Sequence, residues 1–481
     1  MTTKRKEGAR VRSTLRRGAG WLALTLVAAT AVTACSSAAT SSGSGQPGAD
    51  APAPGPEALN GTGQVDITFW HAMTGANGDA LQKLTDTFNQ SQQGKVKVTL
   101  AFKNNYDDTL SAYKNAIKGG QMPDVVQVYD IGTRFMIDSK STLPVQAFID
   151  KDHYDTSDLQ PNITGYYSVN GKLNSMPFNT SMPLLYINKT AFAKAGLDPN
   201  NPPKTLDEIT EAANKLTVKD DAGNVAQYGF GASVYGWFVE QWTAVSGEEY
   251  CDQGNGRDNR ATKANLATDK HVKLLKWWQD MVKQGLAMPL DSDTKNGDTA
   301  FSSGKVAISL ESTGSLGSFL KSSAGQFEIG TGYYPKVDSS DSAGPIIGGA
   351  SLWVVGKDKD DAHKRASWEF LKFLSAKDSQ ATWHTSTGYF PISKGALDTD
   401  IDKQWVAQKP QFVTAIKQLG DTKLTKATQG CLLGVMPQTR KAVETALQAA
   451  VLQGNDAKES LQNAEKSVES LIKDYNQSVG G

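Results

Sequence analysis

Reactive chemistry would be sought first at the five histidines, His71, His153, His271, His363 and His384, and they are scattered along the chain. None stands in the H-x-x-x-H or H-E-x-x-H spacing that sets two imidazoles on one helix face for zinc. His71 and His384 sit beside aromatics, in FWHAM and TWHTS, where a packed structural imidazole is expected. His271 lies on a lysine-rich helix, where solvation is expected. The stretch DSDTKNGD, residues 291–298, begins like a calcium loop, but Lys295 takes a ligand position and Gly297 comes one residue late. SSGKV, residues 302–306, lacks the spacing and the following hydroxyl of a phosphate-binding loop. No G-x-S-x-G elbow occurs and no nucleophile is set beside a base. Neither an enzyme nor a metal or cofactor site is expected.

Polar, aromatic and glycine residues cluster instead at the junctions between predicted elements. These are NNYDDTLSA (104–112), QVYDIGT (127–133), PFNTSMP (177–183), GASVYGW (231–237), LESTGSL (310–316), IIGGASLW (346–353), TSTGYFPIS (385–393) and LGVMPQTR (433–440). Hydroxyls, backbone amides and one arginine suit an oxyanion flanked by polyols, and arginine offers a planar fork to phosphate. STGSL reads as the start of a helix, where free amides attract anions. Two glycines, Gly348 and Gly349, precede the strand Leu352–Val355; glycine there marks a turn or a close approach to the backbone.

The elements that must position these junctions alternate between strand and helix periods. VDITFW (65–70) alternates as a strand, and Leu81, Leu84 and Phe88 follow at helical spacing. KVKVTLAF (95–102) sets Val96, Val98, Leu100 and Phe102 on one face. Leu110, Tyr113 and Ile117 mark a second helix, and DVVQVYD (124–130) a buried strand. This βαβαβ rhythm predicts an α/β lobe with a mainly parallel sheet. A second lobe begins after PFNTSMP. It opens with the strand LLYIN and a helix that Thr205 and Glu208 cap, with Leu206, Ile209 and Leu216 facing inward.

At 481 residues, 39% hydrophobic and 21% charged, the chain describes an ordinary folded protein of two or more domains. Its zero formal charge hides an asymmetry. Seven of the 50 basic residues and one of the 50 acidic residues lie in the first 17 positions, which leaves the remainder near −6. That is a poor match for nucleic acid. The basic start and the apolar stretch Gly20–Cys35 read as an export signal rather than a membrane span. Its ending, Val32-Thr33-Ala34-Cys35, resembles a bacterial lipobox, so Cys35 is expected to be lipidated; Arg16-Arg17 leaves Sec and twin-arginine export both open. A Ser/Gly/Pro-rich tether follows. The protein is expected outside the cell, anchored to the outer face of the cytoplasmic membrane. In that oxidising setting Cys251 and Cys431 could pair.

From Val65 to the last helix, FWHAM, QVYDIGT, GYYS, PFNTSMPLLYINK, AGLDPNNPPKT, IIGGASLWV, WHTSTGYFPI and LGVMPQTR resemble in order the extracellular solute-binding proteins of ABC importers that bind glycerol 3-phosphate and its diesters. The resemblance implies a periplasmic-binding-protein-like (type II) α/β fold, two lobes hinged around a cleft. The expected division is an export signal (1–34), a tether (35–63), first-lobe segments 64–180 and 310–356, and second-lobe segments 181–309 and 357–481. It also implies that Tyr106, Ser181, Ser312, Gly349, Tyr389 and Arg440 line the site. Arg440 would anchor phosphate with help from Ser312, Tyr389 and the Gly349 amide, and Tyr106 and Ser181 would address glycerol. Asp130 stands where glycerol-3-phosphate binders carry glutamate, and Val234 where they carry tryptophan, with Trp237 retained. That enlargement favours a diester such as glycerophosphocholine, its cationic headgroup facing Asp130 or Glu311. A binder of neutral sugars on the same scaffold is the alternative, and an exported phosphodiesterase a further one. The expected partners are the membrane subunits of an ABC permease, and the expected state is a monomer.

Overall fold

The computed structural model describes residues 52–480. The export signal, Cys35 and the first part of the tether lie outside the described residues. The rest of the tether is not loose. Pro56–Leu59 forms a 3-10 turn beside the helix Asp361–Ser375, Ala53 is buried, and Arg365 donates to the Pro54 carbonyl. The folded body therefore starts about ten residues before the expected boundary at 64, because Ala53 and Leu59 supply apolar side chains that the composition of the stretch obscured.

The strands in chain order are β1 (Val65–His71), β2 (Val96–Phe102), β3 (Val125–Tyr129), β4 (Thr142–Leu143), β5 (Ser168–Val169), β6 (Lys172–Leu173) and β7 (Met176–Ser181). They continue as β8 (Pro183–Asn188), β9 (Val218–Lys219), β10 (Val225–Gly231), β11 (Val306–Ser312), β12 (Ile329–Gly332) and β13 (Gly348–Val355). The first sheet runs β2-β1-β3-β13-β4, with β7 added on β13; the second runs β12-β8-β11-β10-β9. A small hairpin, β5-β6, stands apart.

Periodicity accounts for the first sheet. β1 buries Val65, Ile67, Phe69 and His71 on one face, while β3, at the centre, is buried throughout. β2 is the edge. Only Val96 and Val98 of its apolar row are buried, and Phe102 is left 52% exposed. The βαβαβ unit makes β1 parallel to both β2 and β3. The sheet is not mainly parallel, however. β13 enters from far downstream and runs antiparallel to β3, β4 and β7. In the second sheet only β10 and β11 are parallel.

The lobes divide differently from the expected segments. Within 310–356, β12 stays in the second sheet and only β13 joins the first. Within 357–481, the helix Asp361–Ser375 turns Ala366, Phe370, Leu371 and Leu374 onto β1, β7 and β13, so it belongs with the first sheet. Met436–Leu447 and Ala457–Ser478 pack together, and the former also packs on Gly236–Val245 of the second lobe. Helical periodicity showed which faces were apolar but not which sheet each face would meet. His271 is likewise buried, not solvated. It shares the inward stripe of Asp269–Lys283 with Leu274, Leu275, Trp278 and Met281, and its ring pairs with Thr243 Oγ1 at 2.6 Å and the Leu266 carbonyl at 2.8 Å.

A disulfide joins Cys251 to Cys431 across a sequence separation of 180. Loop closure on that scale removes considerable freedom from the unfolded chain, so replacing both cysteines by serine is expected to cost about 2–4 kcal/mol. The denaturant midpoint of the double variant, compared with the oxidised parent, measures this; equal midpoints would refute it.

Candidate functional site

The expected site residues stand at the ends of strands. Asp130 follows β3, Ser181 ends β7, Ser312 ends β11 and Gly349 is the second residue of β13. Tyr106 opens the helix Tyr106–Ile117, Tyr389 follows Lys377–Thr387, and Arg440 lies in Met436–Leu447. Val234 and Trp237 flank the start of Gly236–Val245. Both sheets therefore contribute.

One group gathers around hydroxyls. Asn179 Nδ2 donates to Tyr106 Oη at 2.7 Å, and the Tyr106 and Tyr389 hydroxyls lie 3.5 Å apart. Gln127 holds Asn179 in place: its amide donates to Asn179 Oδ1 at 2.7 Å while its carbonyl accepts from Ala72 N at 2.8 Å. The hydroxyl end of the Tyr389 ring lies against Gly314, where a Cβ would stand 2.5 Å from Cζ. That brings Tyr389 next to Ser312, whose Oγ accepts from Gly314 N at 3.1 Å. The helix expected to begin at STGSL is a 3-10 turn, Thr313–Ser315, followed by the short helix Leu316–Ser322.

The second group centres on Arg440. Its Nε and Nη2 donate to the two oxygens of Glu240, each at 2.7 Å. Nη2 also donates to Asp130 Oδ2 at 3.2 Å, and Nη1 to the Tyr235 hydroxyl at 3.2 Å. The guanidinium faces the rings of Tyr129 and Tyr235, at 5.9 and 5.5 Å from their centroids. Arg440, Glu240 and Asp130 are all buried, and the void beside the two carboxyls is only about 10 Å³. Burial pushes the Glu240 carboxyl upward and Arg440 pulls it down. Because both Glu240 oxygens accept from N–H donors that arginine never gives up, the pair is ionised. Arg440 thus presents its fork to Glu240 rather than leaving it free for phosphate; only the Nη1 edge has no carboxylate on it. Asp130, expected to face a cationic headgroup, is tied to Arg440.

Aromatic packing links the two groups. Tyr106 stacks on Tyr129 at 5.5 Å, and Trp237 lies against Gly348, where a Cβ would come within 2.7 Å of the indole. Gly349 has φ +83° and a Cβ there would stand 2.0 Å from the Asn179 carbonyl. The missing side chain is demanded by strand β7, where the pairing slips between Ala350 and Ser351. The approach that glycine permits is that of a neighbouring backbone. Val234 is fully buried, its amide donating to the Asp291 carbonyl, so the position is filled rather than opened.

Glu240, Asn179 and Gln127 were not singled out from the sequence. Glu240 carried a readable signal: it is the one acidic residue in WFVEQW, and a carboxylate amid tryptophans must be paired when buried. Glu311, offered as a second partner for a cation, is buried. Burial and the neighbouring Asp298 push its carboxyl well up, against one hydrogen bond from Ser312 N.

A family model described as bacterial extracellular solute-binding protein matches residues 83–414. The sn-glycerol-3-phosphate-binding periplasmic protein UgpB of Yersinia pestis is 35% identical over 426 residues, covering 87% of this chain and 95% of its own. Among solved structures, UgpB of Mycobacterium tuberculosis in complex with glycerophosphocholine superposes with a TM-score of 0.72 at 23% identity, over 86% of this chain and 99% of that one. The GacH receptor of Streptomyces glaucescens, solved unliganded and with acarbose, gives 0.70 at 18% identity, over 86% and 99%. At these identities the two structures bear on the fold alone.

Asp298, on the helix Thr294–Ser302, is pushed up to about 6, by burial first and by Asp293 second, while a hydrogen bond from Ser315 opposes. A carboxyl raised in the folded state binds a proton that the unfolded chain has already released. Stability should therefore fall as pH rises from about 4 to 6. Asp298→Asn is expected to flatten that fall and to stabilise the protein above pH 6. Parallel pH series of denaturant midpoints test it, and parallel slopes in the two proteins would contradict it.

Proposed function

The chain belongs to the bacterial extracellular solute-binding proteins, a binding rather than a catalytic family, and from that premise we propose that it captures a glycerophosphodiester between its lobes. Glycerophosphocholine is the favoured ligand, and sn-glycerol 3-phosphate a weaker one. The observation that carries this reading is the charge around Arg440. One guanidinium is set against two carboxyls, Glu240 and Asp130, so its positive charge is already met by Glu240 before any ligand arrives. A phosphate dianion would meet that cluster unfavourably. A diester monoanion with a cationic headgroup is neutral overall and can turn its positive end toward it.

In this reading the glycerol hydroxyls meet Tyr106, Tyr389 and Ser181. The phosphodiester approaches the Arg440 Nη1 edge together with Ser312 and the Gly349 amide. Trp237 supplies a ring face for a quaternary ammonium. Because these residues come from both sheets, ligand contacts favour the closed arrangement to the extent that closure adds contacts. The closed form then docks on the membrane subunits of an ABC permease, and lipidated Cys35 keeps the monomer at the outer face of the membrane. The relatives' names and the glycerophosphocholine complex of the structural neighbour support the ligand class. The acarbose complex of GacH keeps a neutral sugar as the second reading.

Calorimetric titration with glycerophosphocholine, glycerol 3-phosphate and maltose decides between them. Heat is expected most strongly from the first, less from the second and none from the third. Tyr389→Phe, which removes one hydroxyl, is expected to weaken glycerophosphocholine binding by about tenfold. Binding of maltose alone would overturn the proposal.

A further inference from the structure

A cavity elsewhere in the molecule is lined by none of the candidate site residues. It holds about 710 Å³ and is bounded by the end of β12, the start of the helix Leu206–Leu216, the helix Val413–Asp421, and the segment 333–345 that leads toward β13. That volume suits a ligand of one or two sugar rings.

Its charges are unevenly satisfied. Lys204, Lys336 and Lys417 line it, and none of their ammonium groups has a partner among the described residues. The two carboxylates in the lining are already occupied: Glu208 accepts from the Lys204 amide at 2.7 Å and Asp421 from the Tyr333 hydroxyl at 2.7 Å. Three lysines against two carboxylates leave one positive charge in excess around the cavity, and no ammonium is spent on an ion pair, which favours an anion. The walls between them are flat and apolar, with Pro202, Pro345 and a 40% exposed Tyr333, surfaces against which the C–H faces of a sugar ring can stack. Ser339 and Ser342 add hydroxyls at the rim.

The shape is not incidental to the fold. A Cβ at Gly344 would overlap Thr422, so the segment presses its backbone against the helix and fixes that wall. Gln418 braces the other side, accepting from Tyr334 N at 2.7 Å and donating to the Pro183 carbonyl at 3.0 Å.

We propose that this cavity is a second binding site, for an anionic saccharide of the size of a phosphorylated disaccharide, distinct from the interlobe site. The test uses the full chain titrated with trehalose 6-phosphate, with trehalose as the uncharged control. Saturable binding of the phosphorylated sugar and none of trehalose is expected. Lys336→Glu combined with Lys417→Glu should weaken that binding by at least about tenfold. The same variant should leave the thermal midpoint and the glycerophosphocholine titration unchanged. Absent binding, equal binding of trehalose, or full affinity in the double variant would each overturn the second site. Those outcomes leave the interlobe reading untouched, because it is read from a different ligand.

Discussion

The structure depends most on a positive charge kept out of water. Taking a guanidinium and its partner carboxylate into the interior costs several kcal/mol per ion, and their mutual attraction returns it only when the geometry is good. Here the geometry is divided. Glu240 grips Arg440 with two parallel bonds at 2.7 Å, whereas Asp130 adds a single contact at 3.2 Å. Glu240 and Arg440 sit on two helices of the second lobe that pack on one another, while Asp130 follows a strand of the first sheet. The strong half of the cluster is therefore internal to one lobe and fixes the guanidinium, and the weaker half spans the two. Parting the two sides would break that single bond and leave the Glu240 pair intact.

Glycine sets how closely the two sides can meet. Gly348 admits the Trp237 indole, Gly314 the Tyr389 ring, and Gly236 the backbone carbonyl of Arg440, where a Cβ would come within 2.8 Å. Each contact joins segments distant in sequence. Together they let bulky aromatic residues stack across the molecule without spreading the sheets, and they leave little freedom in the side chains of the site.

Much of the fold could be read from residue pattern. The strands of the βαβαβ unit, the capped helix at Thr205 and the strand that closes LLYIN all follow local periodicity and cap chemistry, which act within a few residues. What escaped was decided at long range. No local pattern announces that β13 arrives antiparallel, or that the helix at Asp361 folds back on the first sheet. His271 looked solvated because lysines surround it in sequence, yet it sits at the buried phase of its helix. The site was legible as a set of junctions, since polar residues at strand ends are conspicuous. Its internal bonding was not, because Gln127 and Glu240 lie within buried elements and their partners are 52 and 200 residues away.

One residue, Met182, separates β7 of the first sheet from β8 of the second, and it is buried. Its amide and carbonyl both pair with Thr313, just past the end of β11, so two chains pass this point bound to each other. A join so short has no slack for translation. The halves of the molecule can only pivot about it, like covers about a spine, and each ångström of travel at the mouth shrinks toward nothing at Met182.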